Sequence, residues 1–314
     1  MPKAFVGARQ TTLAREIELT GVGVHSGAPV NLVLHPAEPG TGIIFAVTKH
    51  DRIISEIAAK VENVKNLTLC TVIGDDAGTT VGTVEHLLAA LRGLAVDNCY
   101  IEIDGKEVPI MDGSSAHFVD AIDEVGLVHL NAPRKFIKVL KPIRIEESDC
   151  WAEISPHSGF HLDIEIDFDT PAIGRQRVSY ELTPGVFRND LSNARTFGFM
   201  HDVEKLWKAG LALGASLENS VAIDDDKIIN PEGLRYDKEF VRHKMLDAVG
   251  DLSLAGLPLL CKYRSVRGGH RLNANTLKEL LQDKSAWAIV EAPQHRDVTV
   301  TNTSDHQWPI ALGK

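Results

Sequence analysis

The chain of 314 residues is short of nearly every feature that assigns a function at sight. Its N-terminal stretch, MPKAFVGARQTTLAREIEL, has no apolar core of the about 7–15 residues that a signal peptide needs. No run approaches the roughly 18 apolar residues of a membrane span. Cysteine is scarce and dispersed: Cys70, Cys99, Cys150 and Cys261 make no CxxC pair. Neither a disulfide framework nor a zinc knuckle is indicated, and a cytoplasmic protein is expected. An excess of positive charge is missing too. The net charge of -10 and pI of about 5.7 argue against nucleic acid or an anionic membrane held by bulk electrostatics. An anionic substrate would need a local basic pocket. There is no GxxxxGK[ST] phosphate loop, and no HxE with PCxxC of the zinc nucleobase deaminases. What remains is ordinary: 44% hydrophobic and 24% charged residues, in a length that suits about two domains.

The most informative stretch is Glu239–Leu254, EFVRHKMLDAVGDLSL. Phe240, Val241, Met245, Val249 and Leu252 recur at helical spacing as an apolar flank, while His243, Asp247 and Asp251 fall every fourth residue on another stripe. An imidazole and a carboxylate one turn apart point the same way and can close on one metal ion. The bland alternative is a solvated face, with Asp247 paired to Arg242 or Lys244.

Elsewhere, residues 11–35 alternate apolar and polar positions around GVGVHSG, a hairpin whose glycine-rich bend carries His25. LTLCTVI, around Asn66–Thr71, reads as a short strand and Asp75–Gly78 as a turn. Thr83 can cap a helix of Leu87, Leu88, Leu91 and Leu94, with Glu85 and His86 in its first turn. A second helix follows a cap at Asp112 or Ser114, and Asn131–Lys135 (NAPRK) reads as a connector. Strands then run through HLDIEIDFD, with Leu162, Ile164, Ile166 and Phe168 on one side, to RVSYELT. A short helix, Asp202–Ala209, leads into a small-residue strand at Gly210–Ser216. After the Glu239 helix, a strand ends on a glycine turn that presents His270 from a loop, before the helix ANTLKELLQD. Each half passes from strands into a helix, which suggests a duplicated fold divided as 1–130 and 131–314.

Two histidines and one carboxylate leave a zinc ion an open fourth position, the arrangement of a catalytic site. A neighbouring Glu can take a proton from water, and a histidinium can stabilise charge or protonate a leaving amine. Spacing alone does not bring Glu85, His86, His243, Asp247, Asp251 and His270 together. The segments TVEHLLAAL, VPIMDGSSAHF, ARTFGF, LGASLEN and FVRHKMLDAVGDL, however, resemble the UDP-3-O-acyl-N-acetylglucosamine deacetylases, zinc amidases that commit Gram-negative bacteria to lipid A synthesis. The likeness runs from about Thr11 to the final helix.

That resemblance implies an α+β fold of two domains of like topology. Each would be a small sheet layer plus helices, with the helices sandwiched between the sheets (ribosomal S5 domain 2-like) and an insert in each domain. It implies one Zn2+ per chain held by His86, His243 and Asp247, with Glu85 as general base. His270 matches the family's charged histidine, Asp251 the carboxylate that orients it, and Thr196 the donor to the tetrahedral oxyanion. Lys244 matches a lysine that binds substrate phosphate. Phe197, Phe199 and the segment to about Asn230 match an acyl-chain passage, and Leu69 and Cys70 a loop of the first insert near the site. His25 joins the substrate contacts if the fold carries its bend there. The implied reaction is hydrolysis of the acetamide of UDP-3-O-acyl-N-acetylglucosamine, releasing acetate. The implied partners are that small molecule and at most a peripheral membrane contact, with the protein a monomer. One position departs: Ala215 stands where many relatives have a second glycine, a methyl that bears on acyl-chain length. The competing readings are an amidase for another N-acyl amine, iron on the same ligands, and a metal-free two-domain binding protein.

Overall fold

A computed structural model describes residues 7–292; residues 1–6 and 293–314, the outer ends of the two expected units, lie outside it. The chain begins with β1 (Arg9–Leu13), β2 (Ile17–Val22), β3 (Pro29–Pro36), β4 (Ile43–Lys49) and β5 (Arg52–Ala58). Short strands β6 (Val64–Asn66), β7 (Val72–Gly74) and β8 (Thr80–Val81) precede α1 (Glu85–Gly93), β9 (Cys99–Ile103), α2 (Ala116–Val125) and β10 (Leu127–Pro133). The second run has β11 (Lys135–Val139), β12 (Ile143–Glu147), β13 (Cys150–Pro156), β14 (Phe160–Asp167) and β15 (Arg175–Glu181). Next come α3 (Pro184–Val186), β16 (Phe197–Phe199), α4 (Met200–Lys208), β17 (Val221–Asp224) and β18 (Lys227–Ile228). The run closes with α5 (Glu239–Ser253), β19 (Leu259–Val266), α6 (His270–Gln282) and β20 (Trp287–Glu291).

This mixed α+β chain repeats one topology. The first sheet has the order β2-β3-β9-β4-β5, and strands of the second pair in the order β12-β13-β19-β14-β15. Directions correspond as well. Within each of these five-strand orders the fourth strand lies parallel to the third and the other neighbours are antiparallel. α1 precedes β9 as α5 precedes β19, and α2 and α6 follow those strands. The additions match in place: β6–β8 stand between β5 and α1, and β16–β18 with α4 between β15 and α5. The second sheet gains β11, parallel to β19, and β20, antiparallel to β11.

Alternation puts one face of each sheet onto the helices. Val30, Leu32 and Leu34 of β3, and Leu259, Cys261 and Tyr263 of β19, are buried while their neighbours along the strands are more open. α5 differs. Of its 15 residues all but Arg242 and Lys244 are buried, as befits a helix held between layers. The solvated-face alternative for this segment is therefore excluded. α1 packs on α5 so closely that a Cβ on Gly250 would lie 2.1 Å from the carbonyl oxygen of Glu85.

Several local expectations are corrected. The strand expected around Asn66–Thr71 is instead β6 and β7, with bends between them, because Leu69 has φ +68° and cannot continue a strand. Thr83 does not cap α1; it has φ +52°, and its hydroxyl donates to Glu107 Oε1. At α2 it is Ser114 whose hydroxyl accepts from the Ala116 N–H, while Asp112 accepts from Ser114. Asn131–Pro133 is no connector but the end of β10, paired with β1. Phe168 lies beyond β14. Gly210–Ser216 is a run of turns, not a strand, and His270 begins α6 rather than sitting on a loop.

In an uncrowded helix Gly→Ala gains about 1 kcal/mol of propensity. At Gly250 the added methyl meets backbone, so Gly250→Ala is expected to destabilise by about 1–3 kcal/mol. Thermal or denaturant unfolding reads the sign directly, and a stabilised variant contradicts the close crossing.

Candidate active site

The crossing at Gly250 brings the first turn of α1 against the middle of α5. Glu85 and His86 are buried there, and Ser115 Oγ donates to the His86 carbonyl oxygen at 2.8 Å, fixing that turn to the start of α2. From α5 come His243, Asp247 and Asp251, all buried, and from the first residue of α6 comes His270. Residues scattered over the sequence thus form one cluster.

Its first part is His86, His243 and Asp247, which offer one ligand atom each within 4.8 Å of one another. His243 Nε2 is 3.3 Å and His86 Nε2 3.6 Å from Asp247 Oδ1, and the two rings meet edge to face at 5.0 Å. His243 Nδ1 donates to the Ala194 carbonyl at 3.0 Å, so Nε2 presents its lone pair inward. Burial pushes His243 down to about 3, more than the Asp247 carboxylate can offset, so this imidazole is neutral. Asp247 Oδ1 is buried without a hydrogen-bond partner. Burial alone would raise the Asp247 carboxyl, but the Lys244 ammonium against Oδ2 holds it well below the usual range. The inward lone pair of His243, the nearby Nε2 of His86 and an anionic oxygen around one point fit a divalent cation, which would satisfy all three.

The second part stands beside it. His270 Nδ1 is 2.9 Å from Asp251 Oδ2, and His270 Nε2 is 3.7 Å from Glu85 Oε1. Burial opposes its charge, but Asp251 and Glu85 outweigh that and hold His270 up at about 9. Burial pushes the Glu85 carboxyl upward, with the His270 charge opposing. Sequence reasoning missed the donors that keep these carboxylates in place. Thr71 donates its N–H to Glu85 Oε2 at 3.1 Å and its hydroxyl to Asp251 Oδ1 at 2.6 Å, and Asn273 Nδ2 donates to Asp251 Oδ2 at 2.8 Å. The signal was indirect: a buried Asp251 requires partners. Also missed was the fully buried Arg195–Glu239 pair at 2.9 Å, which ties the irregular stretch leading to β16 to the start of α5.

The remaining expected residues surround this core. Lys244 Nζ donates to Asp247 Oδ2 at 2.6 Å, and Arg242 pairs with Asp190 instead. Thr196 lies two residues past Ala194; its N–H donates to Gly113 O, and its carbonyl accepts from Val221. Phe197 packs edge-on against Phe240 at 4.9 Å and near His243 at 6.2 Å, while Phe199 lies against Phe168. Leu69 is half exposed; Cys70 is buried, and burial with the Glu85 charge pushes its thiol up to about 12, so it is no nucleophile. The His25 bend reaches the second insert, where Leu213 and Gly214 N–H groups donate to the carbonyls of His25 and Val24. A Cβ on Gly214 would meet Gly23 O at 2.3 Å, whereas Ala215 is exposed. Beside His270 opens a cavity of about 630 Å³ lined by Lys65, Arg267, Arg271 and Lys278 and by one carboxylate, Glu147, paired with Arg271 at 3.0 Å, so that basic groups outnumber acidic ones there.

Two imidazoles and a carboxylate around one point, with a raised carboxyl and an imidazolium alongside, are the components of a metallohydrolase centre. Comparison with known proteins agrees. The sequence model for UDP-3-O-acyl N-acetylglycosamine deacetylase matches residues 10–282, and the chain belongs to that family. Proteins of Brucella ovis and Brucella canis, both named UDP-3-O-acyl-N-acetylglucosamine deacetylase, are 50% identical to it over 288 residues, spanning 91% of this chain and 100% of theirs. The protein of that name from Brucella melitensis biotype 2 is 49% identical over the same length.

Because the folded value of His270 lies above the ordinary 6.5, its charge stabilises the fold fully below that pH and the contribution is lost as pH rises through about 9. In metal-free protein the stability difference between wild type and His270→Gln is expected to shrink across that window. A difference flat from about pH 6 to about pH 10 contradicts the buried imidazolium.

Proposed function

We propose that this chain hydrolyses the acetamide of UDP-3-O-acyl-N-acetylglucosamine, releasing acetate and leaving the free amine, the committed step of lipid A synthesis. The observation that carries the reading is the convergence of His86, His243 and Asp247 on one point, next to Glu85 and His270, in a member of this family. We assign the three to one Zn2+ ion. When bound, the ion supplies Lewis acidity, which acidifies water and polarises a carbonyl.

The chain's own groups do the rest. Glu85, whose burial makes it a stronger base than an exposed carboxylate, takes the proton of the attacking water. The Thr196 hydroxyl donates to the oxyanion as the carbonyl carbon becomes tetrahedral. His270, charged and oriented by Asp251, stabilises that oxyanion and then protonates the departing amine at nitrogen. Lys244 and the basic cavity beside His270 hold the diphosphate. Phe197, Phe199, and the insert to about Asn230 take the acyl chain; the exposed Trp207, Leu213 and Leu217 of that insert provide apolar surface for it. Leu69, Cys70 and His25 line the approach from the first unit.

We divide the chain into units 1–130 and 131–314 of a ribosomal S5 domain 2-like fold; the repeated strand order supports two units, with β10 running on to Pro133 across the boundary. Among the described residues no helix is long and apolar enough to cross a membrane. With all four cysteines free, a cytoplasmic monomer touching membrane at most peripherally is the simplest assignment.

Acetate release from the UDP-acyl sugar tests the reading. Glu85→Ala is expected to keep its zinc and lose turnover by about 10²–10⁴-fold, whereas Asp247→Ala is expected to lose the metal itself. Near-full activity in Glu85→Ala removes Glu85 from the role of base, and a wild-type protein that releases no acetate overturns the assignment.

A further inference from the structure

A second cluster of metal-ligating side chains lies on the outer face of the second sheet. His161 of β14 and Glu181 of β15 are direct cross-strand partners, and His157 comes from the turn before β14. His157 Nε2 is 2.9 Å and His161 Nδ1 3.3 Å from Glu181 Oε2, and the two rings meet edge to face at 5.6 Å. One ligand atom from each residue lies within 4.8 Å of the other two. The turn is built for this approach. Gly159 O accepts from the Cys261 N–H at 2.7 Å, and a Cβ on Gly159 would sit 1.8 Å from Glu181 Oε1, so a side chain there would displace the carboxylate. The far nitrogen of His161, Nε2, is 2.9 Å from Ser179 Oγ, which fixes the ring with Nδ1 toward Glu181.

This cluster is separate from the catalytic one. β14 runs parallel to β19 with Glu165 opposite Val266, near the end that leads to His270. His161 stands at the other end, on the order of 15 Å away along the strand.

We propose that His157, His161 and Glu181 bind a second divalent transition-metal ion, zinc or a borderline neighbour such as nickel or copper. Two imidazoles and one carboxylate suit such ions rather than magnesium or calcium. Side-chain exposures of 37%, 25% and 42% leave the other coordination positions to water, so this ion exchanges more readily than one at a buried set. Lys262, in register with His161 on β19, brings an opposing charge to this face, and Asp163 is held by Arg177 and Arg264. Bound there, the ion ties edge strand β15 to the turn before β14.

The test titrates protein carrying one zinc ion per chain with zinc chloride and counts bound ions by equilibrium dialysis. A second ion is expected on wild type and is expected to vanish from the His157→Ala/His161→Ala variant, which keeps its first ion and its amidase activity. Glu181→Gln is expected to weaken the second ion by about tenfold or more. A second ion that persists in the double variant overturns the proposal, as does a wild-type protein that stops at one ion in millimolar zinc.

Discussion

The structure turns on a cost imposed where α1 meets α5. Glu85, Asp247 and Asp251 are all withdrawn from water in the same small volume. Each uncompensated ion there would cost several kcal/mol. The fold answers with donors from both units. His270 stands between Asp251 and Glu85, Lys244 reaches Asp247, and Thr71 and Asn273 fill remaining lone pairs. What stays unanswered is Asp247 Oδ1, buried between the Nε2 atoms of His86 and His243 without a hydrogen-bond partner. A divalent cation there would resolve that last imbalance. The chemistry is the remainder of an electrostatic problem that the helix packing creates.

The duplicated topology explains why the site lies where it does. α1 and α5, which hold corresponding places in the two repeats of the strand order, pack on each other, and Gly250 lets their backbones touch. The first unit contributes Glu85 and His86; the second contributes His243, Asp247, Asp251 and His270. Neither holds a complete centre. The inserts emerge at the same point of each repeat, and the second is tied to the first repeat where the bend between β2 and β3 accepts from the Leu213 and Gly214 N–H groups.

Much of this was legible in the sequence because helical spacing is strict. The stripe of His243, Asp247 and Asp251 and the leucines of α1 survive in the structure at their expected positions. What periodicity could not convey was burial on every side of α5, which depends on two sheets far apart in sequence. Positive-φ residues defeated the local reading: at Leu69 and Thr83 the chain turns where residue type suggested a strand and a cap. Thr71 and Asn273 carried no pattern of their own. They are recognisable only once Asp251 is known to be buried, and likewise His157 and His161 gain meaning only when β15 places Glu181 between them.

The central claim is that His86, His243 and Asp247 hold the ion on which hydrolysis depends. The most direct measurement strips the protein with chelator, restores zinc stepwise, and follows acetate release from the UDP-acyl sugar against ions bound. Activity is expected to vanish on chelation and to return in proportion to the first ion, levelling at about one per chain. Full activity in metal-free protein would contradict the claim.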